Sequence, residues 1–264
     1  MGEKTTAGRQ AKPGGNSAAT VERAADVLLL FARSTSSQLG VTEIANELGV
    51  SKSAVHRILL SFRNKALVEL DPVTRRYSLS PTILGLGWRF ASRLDVRFAA
   101  SGELSALSRA TNETATLSIR SGDQRVYVDQ VIPNREVLMS VELGTAHPLH
   151  AGASSKALLA FLPASEVDRY LNTKLDKVTA GTVTDVRELR RELADIRARG
   201  WAKSFSERLI GAGSVAAPVF DGNSEPVAVV SVCGPADRVA GEIEMCVEHL
   251  LVATKRISAR LGHP

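Results

Sequence analysis

Between positions 41 and 62 the apolar residues recur three and four apart in two short runs, a periodicity that predicts two crossed helices. Ile44, Ala45 and Leu48 make one inward stripe; Val55, Ile58, Leu59 and Phe62 make the second. Gly49 lies between them, where a residue without a side chain can end a helix in the left-handed conformation and turn the chain. Ser51 follows as an N-cap whose hydroxyl accepts from the free amides of the second helix. With the apolar stripe turned inward, Lys52, Ser53, His56, Arg57 and Arg63 remain on or near the outer face, the first three towards the helix start. A helix-turn-helix whose second helix is basic and hydroxyl-bearing points to readout of double-stranded DNA through base edges and phosphates of the major groove.

Strand-like alternation follows. Val68–Leu79 reads as a strand, a turn at Asp71 and Pro72, and a second strand, which together make a wing beside the recognition helix. Arg75 and Arg76 fall at or just after its tip, placed for the DNA backbone or minor groove. Upstream, Thr20 is expected to cap a first helix that packs through Val21, Ala24, Leu28, Phe31 and Ala32. Residues 1–19 are polar and read as a disordered tail whose Lys4, Arg9 and Lys12 touch phosphate weakly. Downstream, Ser80-Pro81 opens a linker helix that runs to about Ser92. Its apolar Ile83, Leu84 and Leu86, followed by Trp88 and Phe90, call for burial against a second subunit. Another helix is expected from Val96 to Thr111.

The remaining pattern mixes both periods. Strands are predicted at Glu113–Arg120, Arg125–Ile132, Val137–Val141, Ser214–Phe220 and Pro226–Val232. Helices are predicted near Ser155–Phe161, Ser165–Asn172 and Asp185–Arg199, with a long amphipathic one from about Ala240 to Leu261. The fold class is therefore α+β, built on a curved antiparallel sheet. The domain reading is a tail at 1–19, a winged helix-turn-helix at 20–80, a linker helix at 81–94 and a ligand domain at 95–264.

Charge sharpens this division. Residues 1–80 carry eleven Lys/Arg against seven Asp/Glu, a surplus of four, whereas the rest of the chain adds only one to the net charge of +5. The surplus sits on the DNA module, as phosphate binding requires, and its modest size suits a site-specific dimer. No secretory signal or membrane-spanning run is present, so no membrane partner is expected and the cytoplasm is the expected compartment. Cys233 and Cys246 are far apart and suggest neither a disulfide framework nor a zinc site.

Motifs for catalysis are weak. His147 and His150 are three apart, which in an extended strand places them on opposite faces, so no metal is expected. Ala153-Ser-Ser-Lys156 approaches a Ser-x-x-Lys motif but has Ala at the required serine, and no G-x-S-x-G or Gly-rich phosphate loop occurs. No cofactor is expected, and the chain does not read as an enzyme. The alternative is an enzyme or redox sensor using Cys233, which requires an exposed thiol of lowered pKa.

Over roughly residues 20–260 the chain resembles the IclR family of bacterial transcriptional regulators. The resemblance rests on Thr42-Glu-Ile-Ala-Asn-Glu-Leu-Gly-Val-Ser-Lys-Ser-Ala-Val-His-Arg-Ile-Leu59, Arg75-Arg-Tyr-Ser-Leu79 and Pro148-Leu-His150 with the Ala151–Ala160 run behind it. It continues through Arg199-Gly-Trp-Ala202, Glu207, Gly211, Ser214–Phe220 and Val230–Pro235, in order and at the right spacing. It implies a DNA domain joined by a linker helix to a GAF-like effector domain, assembled as a homodimer or homotetramer on a pseudo-palindromic operator. Repression or activation would follow from operator position.

The resemblance also implies an effector site formed by Ala153, Ser154, Ser155, Ser204, Ser214, Ser231 and Cys233. A small organic acid suits that set, because helix-start amides and hydroxyls donate to a carboxylate. Two residues depart from the family pattern, Ser155 where Gly is usual and Ser204 where an acid is common. They predict a less anionic, more crowded pocket. Met139, Leu143, Leu149 and Phe205 are candidates for an apolar wall that would admit an aromatic acid.

Overall fold

The computed structural model describes residues 15–91 and 95–264 and divides into two compact units, residues 1–90 and 91–264. The phosphate contacts expected of Lys4, Arg9 and Lys12 lie outside the described residues. So does the end of the linker at 92–94.

In the first unit, helix α1 runs Gly15–Arg33, so it begins before Thr20 and takes in the last residues of the expected tail. Its inward face also differs from expectation. Val27 and Phe31 are buried, with Ala24 and Leu30 beside them, whereas Val21 and Ala32 are exposed. The face that packs is the one centred on Val27, three and four residues from its neighbours. Helices α2 (Val41–Leu48) and α3 (Lys52–Asn64) cross as predicted. Gly49 is left-handed at φ 64°, and the Ser51 hydroxyl accepts from the Ala54 amide at 3.2 Å. Ile44, Val55 and Leu59 are fully buried and join Val68 and Tyr77 of the wing in one core. The wing pairs β1 (Val68–Leu70) with β2 (Tyr77–Leu79), Glu69 lying opposite Ser78. Asp71 closes its turn by accepting from the Val73 and Thr74 amides at 2.8 and 3.1 Å. Helix α4 (Pro81–Ala91) follows, with Leu84 and Leu86 exposed.

The second unit opens with α5 (Asp95–Thr111) and is built on an antiparallel sheet. Its strands are β3 (Thr114–Ser121), β4 (Gln124–Val131), β5 (Ala146–Pro148), β6 (Ala202–Phe205), β7 (Ala212–Phe220) and β8 (Pro226–Pro235). Among the described residues their spatial order is β5-β4-β3-β8-β7-β6. Because side chains alternate across a strand, each strand serves two layers. Ala115, Leu117, Val215, Val230 and Val232 face α5 and the C-terminal helix α10 (Ile243–Arg260), where they form the larger core. Ala202, Ala216 and Val229 face the other way, onto α6 (Ala153–Phe161) and α8 (Val186–Arg199), with α7 (Ala164–Leu171) beside them.

Three expectations are corrected here. Val137–Val141 is not a strand. Side chains satisfy its backbone instead: the Gln130 amide exchanges two hydrogen bonds with Val141, and Arg238 donates to the Val137 carbonyl at 3.0 Å. The edge position belongs to β5, and β6 at the opposite edge, only four residues long, was not predicted. The long final helix is two helices, α9 (Ala236–Gly241) and α10, separated at Glu242.

Candidate functional site

The outer face of α3 carries Lys52, Ser53, His56, Arg57 and Arg63, all exposed. Their exposure follows from the burial of Val55, Ile58 and Leu59 on the opposite side of the same helix. Ser53 shares a hydroxyl contact of 3.1 Å with the cap Ser51, next to the free amides of the first turn. On the wing the two arginines differ. Arg75 is exposed at the tip with φ 57°. Arg76 is turned inward: it holds both carboxylate oxygens of Glu43 at 3.0 and 2.7 Å and donates to the Gln38 carbonyl at 2.8 Å. Glu43 in turn accepts from the Gly40 amide at 2.9 Å, which with Arg76 holds its carboxyl below the usual range. Arg76 therefore ties the wing to the start of α2.

A small cavity of about 30 Å³ lies in the second unit between the sheet and the start of α6. Strand register builds its floor. Ser204 lies opposite Ser214, Ser214 opposite Cys233 and Cys233 opposite Thr114, a row of small polar side chains across four strands. One register step away, the Ser231 and Thr116 hydroxyls meet at 2.7 Å. Ala153 and Ser154 of α6 complete the roof after Gly152, which at φ 89° turns the chain into the helix. Six of the seven effector residues expected from sequence thus meet at one cavity. Ser155 stands behind it, with its hydroxyl accepting from Arg125 Nε at 3.0 Å.

Sequence reasoning missed the cations. Arg125 and Tyr127 occupy alternate positions of β4, pointing away from Val126 and Val128 and therefore into the cavity layer. The Arg125 guanidinium is 1% exposed, donates to Ser118 at 2.7 Å as well as to Ser155, and lies 4.1 Å from the Tyr127 ring centre. Among the described residues no carboxylate approaches it within 4.0 Å. Burial first, and repulsion from nearby Arg208 as a further cause, push its pKa down, yet a guanidinium stays charged at any physiological pH. A buried cation thus lies at the wall of the pocket that the sequence expected to be less anionic.

The neighbouring groups do not pair with that cation directly. Glu207 reaches the cavity, but its two oxygens are engaged, one by Lys156 Nζ at 2.6 Å and the other by the Gly152 amide at 3.3 Å. Lys156 is fully buried and also bonds Glu192 at 2.5 Å. His147 stays neutral, because burial and the two arginines hold its pKa at about 4. His150 has both ring nitrogens in use, on the Tyr170 hydroxyl at 2.8 Å and the Asp176 carbonyl at 2.9 Å.

The apolar wall expected of Met139, Leu143, Leu149 and Phe205 does not form at this cavity. Leu149 is packed under α6, Phe205 joins the α10 core and Leu143 is exposed. Burial pushes the Cys233 thiol up to about 12, the reverse of what a nucleophile or redox sensor needs. In the native protein at pH 8, Cys233 is expected to react with iodoacetamide at least about a hundredfold more slowly than in the unfolded chain. Mass-spectrometric time courses with and without urea measure that ratio, and equal rates would restore the thiol as a reactive centre.

Comparison with known proteins covers both units. Residues 20–72 match the IclR helix-turn-helix domain, and residues 89–259 match the bacterial transcriptional regulator IclR C-terminal domain. The HTH-type transcriptional regulator BhcR of Paracoccus denitrificans is 36% identical over 221 residues, 83% of this chain and 78% of that protein. An IclR transcriptional regulator from Alicyclobacillus acidocaldarius superposes with a TM-score of 0.82 at 33% identity, over 92% of this chain and 99% of that one. An IclR homologue from Microbacterium hydrocarbonoxydans, solved with 4-hydroxybenzoate, gives 0.82 at 21% identity over 92% and 98%, a likeness of fold. With a DNA-binding and an effector-binding domain matched in the same order as the two units, the chain belongs to the IclR family of bacterial transcriptional regulators.

Proposed function

We propose that this regulator binds a pseudo-palindromic operator as a homodimer or dimer of dimers in the cytoplasm, and that a small organic acid in the Arg125 pocket modulates that binding. The observation that carries the effector reading is the buried Arg125 guanidinium, without an acidic partner among the described residues, in a serine-lined cavity under a helix start. An uncompensated buried cation is costly, and a bound carboxylate removes that cost while also accepting from helix-start amides. The cavity is narrow. Its lining is largely small and hydroxyl-bearing, which suits a short acid.

For DNA, the exposed set on α3 would enter the major groove, while Arg75 meets the backbone beside it. Arg76 supports the wing from behind. The exposed Leu84 and Leu86 of α4 support pairing through linker helices, since apolar side chains there otherwise face water. Effector binding would favour one packing of those helices and so reset the separation of the two recognition helices.

The test is operator affinity, on a site selected from random DNA, measured with and without short organic acids at saturation. Linkage requires a change in one direction or the other; a constant affinity in the presence of a bound acid would sink the coupling. On the same operator, Arg57→Ala is expected to cost about 1–3 kcal/mol and to relax preference at one base position. Arg75→Ala is expected to weaken all sequences alike and to lower the salt slope by about one counterion. If Arg57→Ala behaves like Arg75→Ala, Arg57 is a phosphate contact.

A further inference from the structure

Two guanidiniums line the cavity. Arg208 follows Glu207 in the loop after β6, half-buried at the rim, beside exposed Leu209 and Ile210. Its guanidinium carbon lies 5.7 Å from the centre of the Tyr127 ring, the same ring that Arg125 approaches to 4.1 Å. Among the described residues no carboxylate is within 4.0 Å of either arginine. The nearest acid in sequence, Glu207, is held by Lys156 and the Gly152 amide. Two like charges thus share one aromatic ring and one cavity with no carboxylate in direct contact among the described residues, an arrangement that favours the entry of an anion.

Resting on the reading of this pocket as an organic-acid site, we propose that its preferred ligand is a dianion, a short dicarboxylate. Arg125 receives one carboxylate and Arg208 the other. The division of labour follows from their surroundings. Arg125 is fixed by Ser118 and Ser155 and presents a rigid anchor at the sheet. Arg208 has a freer side chain at the mouth and closes on whatever projects from the anchored end. A single carboxylate leaves one guanidinium uncompensated. The hydroxyls of Ser204, Ser214 and Ser231 line the same cavity and suit an oxo or hydroxy group on the short chain.

The experiment is calorimetric titration of the full-length protein with matched pairs that differ by one carboxylate: acetate against malonate, and glycolate against tartronate. In the natural chain the diacid of each pair is expected to bind at least about tenfold more tightly, the worth of one added charge-assisted contact. In Arg208→Gln that ratio falls to about one. In Arg125→Gln both affinities are lost. Because Arg125→Gln alters a buried group, circular dichroism checks its fold, and Arg208→Gln at the rim carries the test if that fold is damaged. Monoacids binding as tightly as diacids, or a diacid preference unchanged in Arg208→Gln, would overturn the dianion proposal alone. Absence of binding by both classes would overturn it together with the organic-acid reading.

Discussion

Lys156→Met is expected to lower the stability of the second unit by about 3–5 kcal/mol, the usual cost of removing one partner from a buried ion pair. Lys156 is fully buried between Glu207 and Glu192, whose side chains are 10% and 26% exposed. Methionine fills a similar volume, so the loss arises from the carboxylates left behind. Glu192 can turn to solvent; Glu207 cannot do so without releasing the Gly152 amide at the start of α6. In a unit of this size such a loss lowers the melting temperature by roughly 6–20 °C, measurable by scanning calorimetry. Adding Glu207→Gln to Lys156→Met should recover part of it, because an amide is far less costly to bury than a stranded charge. A single-variant loss under about 1 kcal/mol would show that water reaches the site and that the buried pairing does not hold α6.

Gly234→Ala is expected to cost about 3 kcal/mol or more, through a neighbour distant in sequence. A Cβ at Gly234 would lie 2.6 Å from Cδ of Glu113, directly on its carboxylate. That carboxylate is 1% exposed and gathers Arg238 and Arg135, the latter at 3.1 Å, so it has no free direction in which to yield. The added methyl must displace the ion cluster or the strand pair β3–β8. The sign of the effect is expected to reverse once Glu113 is gone. In Glu113→Ala the remaining arginines are partly exposed and can be solvated, and alanine in a strand is then worth roughly 0.5–1 kcal/mol over glycine. A double-mutant cycle in urea measures this coupling. Additive losses would place the strain of Gly234→Ala somewhere other than Glu113.

The helix-turn-helix was legible because each of its determinants is local. The periods of Ile44–Leu48 and Val55–Phe62, the turn at Gly49 and the cap at Ser51 all lie within one short stretch, and the structure repeats them. The pocket was legible only in part. Ser204, Ser214 and Cys233 become neighbours through strand pairing across β6, β7 and β8, which no local pattern encodes; the family resemblance supplied them. Arg125 escaped notice because a lone arginine in a strand reads as a solvated residue. Its spacing of two from Tyr127, opposite Val126 and Val128, was the available signal. On β3, Ala115, Leu117 and Ile119 alternate with the polar Thr114, Thr116 and Ser118. Those three are as deeply buried as the alanine and leucine. The misplaced strand at Val137–Val141 has a related cause, since its backbone is satisfied by side chains from Gln130 and Arg238 and not by a ladder.

Strands that are apolar on one side and hydroxyl-bearing on the other have a consequence for how such a sensor diversifies. Odd and even positions of β7 and β8 answer to different demands: one set holds the α5–α10 core together, and the other brings Ser214, Ser231 and Cys233 to the cavity. If the cavity is the effector site proposed above, exchanges among small residues at Ser214, Ser231 and Cys233 would retune which molecule is sensed while Leu117, Val215, Val230 and Val232 keep the domain standing. Chemical taste and structural endurance are interleaved residue by residue, so a lineage can change the first without renegotiating the second.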